Sequence, residues 1–241
     1  MMFQWSEDMV RFMRQASEYG DYHRRLADWM RPDLHKRDRL CDAGCGLGYL
    51  SLALAPYVQH ITAADRNGDA LAVLRENCAA RGIDNIDIRC GDLFSMPPAT
   101  AYDAMVFCFF GRMEEIAAIA KAQCRGTVFA FKKNYTTHRF SVGSHATGSG
   151  SFSAAKAWLS ARGVPFTVQE MALELGQPFR SWESARRFFE IYSRDEDKSV
   201  ITDAFLRSKL VETGRADFPL YLPHQRPVVC LKFSVEDLPK T

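Results

Sequence analysis

No apolar stretch in these 241 residues approaches the roughly 20 that a bilayer-crossing helix requires. The opening Met1-Met2-Phe3-Gln4-Trp5 has neither the basic start nor the apolar centre of a secretory leader. Blocks of like charge are also missing: 31 Lys and Arg stand against 29 Asp and Glu, a formal net charge of +2. The short basic pairs Arg24-Arg25, Lys132-Lys133 and Arg186-Arg187 read as solvated helix faces or strand ends, not as a nucleic-acid footprint. The seven cysteines are odd in number and contain no Cys-x-x-Cys pair. That argues against a disulfide framework and for free, mostly buried thiols in a reducing compartment. Cys41 and Cys45 flank a glycine turn, but no second ligand pair follows at zinc spacing. No internal repeat or domain linker is found. These absences predict one cytoplasmic domain with no metal, membrane or nucleic-acid partner.

What the chain does have is alternation. Trp5, Met9, Phe12 and Met13 fall on one helical face, and Tyr22, Leu26, Trp29 and Met30 repeat that spacing after Gly20. Arg31-Pro32 ends the second helix. This leading pair either covers one side of a sheet or also closes over a ligand through Tyr19, Tyr22 or His23. From residue 39, short strands at 39–43, 60–64, 86–90, 103–109 and 127–132 alternate with helices at 49–57, 67–81 and 113–124. That order predicts an α/β fold, a mostly parallel sheet with helices on both faces. Residues 135–151, rich in Ser, Gly, Thr and His, read as a mobile loop of the kind that forms lids. A helix at 153–162 and a strand at 166–175 follow. Ser181 then caps a helix with Trp182, Ala185, Phe189 and Tyr192 on one face. A further helix over 199–211 and a strand at 228–233 bring the strand count to seven.

The segment Asp42-Ala43-Gly44-Cys45-Gly46-Leu47-Gly48-Tyr49 carries the chemistry. An acidic residue ends a strand, glycine recurs at alternate positions, and a helix begins. Glycine lets a ligand approach the backbone closely, and the helix start presents free N–H groups. A dinucleotide site wants G-x-G-x-x-G around a pyrophosphate. Here the third glycine comes one residue early, and Asp42 would repel a diphosphate while suiting the ammonium of a methionine moiety. That asymmetry favours S-adenosylmethionine (SAM) over a nicotinamide dinucleotide and its oxidoreductase chemistry. Asp65, ending the second strand, suits a pair of ribose hydroxyls, with Arg66 beside it. Asp92 in Gly91-Asp92-Leu93 either accepts from an adenine amino group or caps a turn.

This constellation, together with Tyr102-Asp103-Ala104-Met105-Val106, resembles class I SAM-dependent methyltransferases over about residues 39 to 132. The resemblance implies a seven-stranded sheet of order 3-2-1-4-5-7-6 with strand 7 antiparallel. It implies a chain divided into an N-terminal helical cover (1–38), a cofactor-binding core (39–175), a helical insertion (176–226) and the last strand and tail (227–241). It further implies that Asp42, Gly44, Gly46 and Gly48 frame the methionine end, that Asp65 meets the ribose, and that Asp92 with Leu93 lies at the adenine. Cys108, Phe109 and Phe110 would line the floor below the sulfonium.

Two departures narrow the acceptor. Relatives that methylate exocyclic amines carry Asn/Asp-Pro-Pro-Tyr after the fourth strand, where this chain has Cys108-Phe109-Phe110-Gly111. Cys108 also lacks the preceding proline of the RNA cytosine enzymes and reads as packing, not as a nucleophile. Methyl transfer from a sulfonium mainly requires water exclusion and alignment, with a base only where the acceptor must lose a proton early. Candidates for acceptor contact or base are Tyr22, His23, Tyr135 and His138, followed by His145, Arg180, Glu183 and His224. Without an appended recognition domain, the expected acceptor is a small molecule. The alternatives are a non-catalytic module binding SAM or S-adenosylhomocysteine, and a nucleic-acid methyltransferase.

Overall fold

The computed structural model describes residues 5–95, 102–135, 138–145 and 151–239. Strands Arg39–Ala43 (β1), His60–Asp65 (β2), Ile86–Cys90 (β3), Tyr102–Cys108 (β4) and Cys124–Lys133 (β5) run parallel. Beyond them lies Thr167–Glu174 (β6), reached through the last strand, Gln225–Ser234. That last strand is antiparallel to both β5 and β6. In space the order is third, second, first, fourth, fifth, last, sixth, as the resemblance implies.

The strands separate two cores by simple alternation. On β4 and β5, Ala104, Val106, Phe129 and Phe131 face one side; Met105, Phe107, Val128 and Ala130 face the other. The first side is covered by Tyr22–Met30 (α2), Tyr49–Leu54 (α3) and Gly68–Arg81 (α4). The second is covered by Met113–Gln123 (α5) and Ser151–Ser160 (α6). Pro56 turns the end of α3 into a 3-10 stretch, so the helix stops earlier than its apolar pattern suggests. Asn67 caps α4 through the Ala70 amide at 2.8 Å, and Gly82, with φ of +62°, ends it.

The two leading helices do different jobs. α2 covers the sheet, with Trp29 edge-on to Phe129 and Phe131 at 6.1 and 5.9 Å. Glu7–Tyr19 (α1) instead buries Phe12 in a third core, against Phe179 and Phe188 at 6.2 and 5.2 Å. Each buried phenyl ring there stabilises on the order of 2–3 kcal/mol.

The region expected to be a helical insertion is mixed. Its helices are Trp182–Tyr192 (α7), capped by Ser181, and Asp203–Lys209 (α8). Flanking them in the chain are the strands of a small antiparallel sheet, Gln177–Phe179 (β7) before α7 and Val211–Glu212 (β8) and Leu220–Leu222 (β9) after α8, with Gln225–Ser234 numbered β10. The expected helix over 199–211 therefore shrinks at both ends. Thr202 caps at the Phe205 amide and fixes the start, and Val211 joins β9. Among the described residues no helix is long and apolar enough to cross a membrane. All seven cysteines are free; Cys41, Cys78, Cys124 and Cys230 are buried, whereas Cys90 is exposed.

Of the loop expected over 135–151, residues 136–137 and 146–150 lie outside the described residues. Residues 138–145 are tied to the insertion by the Arg194 amide, which donates to Ser141 Oγ at 2.8 Å, and by the carboxylate of Asp195. Asp195 accepts from Ser193 Oγ and the Val142 amide at 2.7 Å, from the Gly143 amide at 3.0 Å, and pairs with His145 Nε2 at 2.7 Å. Partial burial opposes ionisation, but these hydrogen bonds win and hold its carboxyl well below the usual carboxylate range. A depressed folded-state pKa gives stability that is present above about pH 4 and lost as pH falls. Asp195→Ala is expected to cost about 2 kcal/mol, a figure kept to that of single charge-assisted hydrogen bonds because the loop is partly solvated. Hydrogen exchange should show faster amides at Val142 and Gly143; unchanged protection there would remove Asp195 as a tie.

Candidate functional site

The carboxyl ends of β1, β2 and β4 converge on a cavity of about 530 Å³. In a parallel sheet this edge, where the strand order reverses, is where ligands bind. Gly44, Gly46 and Gly48 take φ of +71°, +55° and +74° and form the turn from β1 into α3. Asp65 braces that turn: one carboxylate oxygen accepts from the Gly46 amide at 2.8 Å, the other from the Asn67 amide at 2.9 Å. Each oxygen has acceptor capacity beyond that bond, and Asp65 lines the cavity.

Asp42, only 1% exposed, also lines the cavity. Its Oδ2 accepts from Ser51 Oγ at 2.5 Å, while Oδ1 is buried with no partner among the described residues. Burial pushes its carboxyl up to about 6, opposed by the Ser51 hydroxyl and reinforced by Asp65 nearby. A buried, half-satisfied carboxylate beside a glycine turn is an acceptor awaiting a cation.

Gly91 and Leu93 lie on the wall, and Leu93 is fixed by Gln123, whose Nε2 donates to its carbonyl at 2.9 Å. Asp92 is not on the wall. Its carboxylate caps a turn through the Phe94 amide at 3.1 Å and pairs with Arg66 at 3.7 Å, while Arg66 itself borders the cavity. Cys108, Phe109 and Phe110 form the floor. Burial pushes the Cys108 thiol up to about 12, so it is a protonated packing group at neutral pH. Phe109 sits at φ +58°, a strained setting for a bulky residue. Buried Lys132 braces this turn, its Nζ donating to Gly111 O at 2.7 Å and to Phe110 O at 3.4 Å.

From α2, Tyr22 and His23 reach the same cavity. The Tyr22 hydroxyl and His23 Nδ1 are both buried without a partner among the described residues. Burial, then the positive Arg226, lowers His23 to about 3, so its ring is neutral across the physiological range. Tyr135 and His224 line a smaller, adjoining cavity of about 190 Å³. His138, bonded to Ser141 Oγ at 2.9 Å, and His145, held by Asp195, line neither cavity. Arg180 and Glu183 are likewise absent from both walls; Arg180 stacks over Phe218.

Residues 40–126 match the family model described as "Methyltransferase domain". Over that stretch the chain is similar to methyltransferase domains. The methyl donor of that family is SAM, and the donor set fits it: an orphaned buried carboxylate oxygen for an ammonium, and a carboxylate with further acceptor capacity for hydroxyls. The chain is 40% identical over 84 residues to the ribosomal protein uL3 glutamine methyltransferase of Bordetella pertussis, covering 34% of this chain and 28% of that protein. It is 32% identical over 75 residues to a protein-L-isoaspartate O-methyltransferase of Methanoculleus marisnigri, covering 31% and 34%. This chain thus matches about a third or less of the length of these relatives. Its fold matches the crystal structure of a putative methyltransferase from Bacillus halodurans with a TM-score of 0.54 and 13% identity, over 90% and 99% of the two chains.

Sequence reasoning missed Arg226, which borders both cavities beside the glycine turn. A signal for it existed. An antiparallel final strand starts at the edge where the parallel strands finish, so its first residues face the ligand.

Proposed function

We propose that the chain transfers a methyl group from SAM to a small-molecule acceptor. The observation that carries this is the buried, unpartnered Asp42 Oδ1 on the wall of the glycine-turn cavity, a fit for an ammonium and a poor one for a diphosphate. When bound, SAM supplies a methyl group already activated by the sulfonium. The chain's task is then to hold and to exclude. Asp42 and the turn at Gly44 to Gly48 bind the amino-acid end. Asp65 orients the ribose, with Leu93 against the adenine and Arg66 at the rim. Cys108 and the braced turn at Phe109 and Phe110 close the floor and keep water out. Tyr22 and neutral His23 stand where they can contact the acceptor; at neutral pH His23 offers an unprotonated but weakly basic nitrogen, and the Tyr22 phenol keeps its proton.

A small acceptor is favoured by the modest volume of the adjoining chamber and by the Cys-Phe-Phe-Gly turn in place of the amine-methylating motif. The test is calorimetric titration with SAM, S-adenosylhomocysteine and NAD, followed by a methyl-acceptor screen on small metabolites. Tight NAD binding without adenosyl-ligand binding would sink the assignment. Adenosyl binding with no turnover in any cell extract would favour a non-catalytic module. Asp65→Ala is expected to weaken SAM binding by about 1–3 kcal/mol, the scale of lost charge-assisted hydrogen bonds. Undiminished affinity in that variant would remove Asp65 from the site.

A further inference from the structure

The smaller cavity shares Met13, Leu175 and Arg226 with the larger one and extends away from it between α1, α7 and the segment around Phe140. Its character is aromatic. The Phe140 ring meets Phe188, Tyr192 and His224 at steep angles, with centroids 5.1, 6.0 and 5.8 Å away. With Leu175 and Leu222 these rings line an apolar slot that suits another ring. Its size of about 190 Å³ suits one substituted ring, since an apolar cavity of about 150 Å³ accommodates benzene.

Two polar features interrupt the apolar wall. His224 is 9% exposed, and its Nδ1 has no partner among the described residues. Its backbone amide is pinned to Glu174 Oε1 at 2.9 Å, which fixes the ring's place on the wall. Burial, then the charges of Arg139 and Arg226, lowers His224 to about 3, so it is neutral. Among the described residues Arg226 is therefore the cation of the chamber wall. Its guanidinium lies 4.2 Å over the Phe109 ring and 5.8 Å from that of Tyr22. Among the described residues no carboxylate pairs with it. Glu174, the nearby acid, is already taken by Tyr221, the His224 amide and Gln225. A half-buried guanidinium without a counter-ion, beside an aromatic slot, has the geometry to receive a planar anion in a bidentate pair.

We propose that this chamber binds a monocyclic aromatic acid, with its ring in the slot and its carboxylate on Arg226. The ligand is the methyl acceptor if the methyltransferase assignment holds; its recognition by the chamber does not depend on that assignment. Among the described residues Arg226 is the one polar residue common to both cavities, so the acid end faces the cofactor cleft and the ring points away from it.

Calorimetry on the full chain with benzoate, phenylacetate and the uncharged isostere benzamide tests this directly, with and without S-adenosylhomocysteine. The acids should bind at least about tenfold tighter than benzamide, as a charge-assisted pair requires. Arg226→Met should erase that preference, and Arg226→Lys should keep part of it. Equal affinity for acid and amide, no saturable binding of either acid, or an acid preference that survives Arg226→Met overturns the proposal. Benzoate against benzamide on the unmodified chain remains decisive even if the variants fail to fold. A separate SAM titration reports on the methyltransferase assignment, so the two failures are distinguishable.

Discussion

Asp42→Asn is expected to weaken SAM binding by about 3 kcal/mol, on the order of a hundredfold, while leaving the protein at least as stable as before. The two effects separate because the carboxylate is a cost without ligand and a partner with it. Without ligand, ionised Asp42 is buried with one oxygen unsatisfied, and its carboxyl is pushed up to about 6 from 3.8. A folded-state pKa above the unfolded value gives stability that is complete below about pH 4 and lost as pH rises toward 6. Asn keeps an acceptor for Ser51 and removes the charge, so melting at pH 7 should not fall. With an ammonium opposite, the same carboxylate becomes half of a buried ion pair, and neutralising it is expensive. Affinity in the unmodified chain should accordingly rise as pH climbs through about 6, and Asp42→Asn should flatten that rise. Calorimetry at pH 5, 6, 7 and 8 gives both readings. Unchanged affinity, or a loss of affinity matched by an equal loss of stability, would place the ammonium elsewhere.

The elements legible in the sequence are those whose burial leaves a regular trace. β4 reads as an interior strand because both its faces are apolar, and the structure divides β4 and β5 between two core sides by alternation. The turn from Gly44 to Gly48 was legible because its φ values exclude most other residues. β7, β8 and β9 were not, since two or three residues carry no periodicity. Their pairing also removed the end of the helix expected over 199–211. α1 was visible as an amphipathic helix, but nothing local told its Phe12 to choose the insertion over the sheet; that is a tertiary decision. Asp92 was open between adenine contact and turn cap, and its hydrogen bond to the Phe94 amide favours the cap. Arg226 escaped because a single arginine has no local signature. Its significance comes from the direction of the strand that carries it.

The three turn glycines look equivalent in sequence, yet Gly46→Ala and Gly48→Ala should fail in different ways. Gly48 caps α3 at φ +74°, and an added Cβ would lie 2.4 to 2.7 Å from the side-chain carbons of Leu74. Leu74 is fully buried and cannot swing clear. Left-handed strain of about 1 kcal/mol plus overpacking of about 1–3 kcal/mol gives a loss near 3 kcal/mol. In a chain of this size that is a fall in Tm of roughly 6–12 °C. A Cβ on Gly46, at φ +55°, would meet only the Trp5 ring, at 3.5 Å. Both residues line the cavity, so the new methyl would take ligand space and disturb no core. Gly46→Ala should therefore lose only the strain of about 1 kcal/mol in stability but at least about tenfold in affinity for S-adenosylhomocysteine. Thermal melts and calorimetry on the two variants are the measurement. If Gly46→Ala binds as tightly as the unmodified chain, the adenosyl ligand does not lie along this turn. If Gly48→Ala melts unchanged, the packing of α3 on α4 is not what requires glycine there.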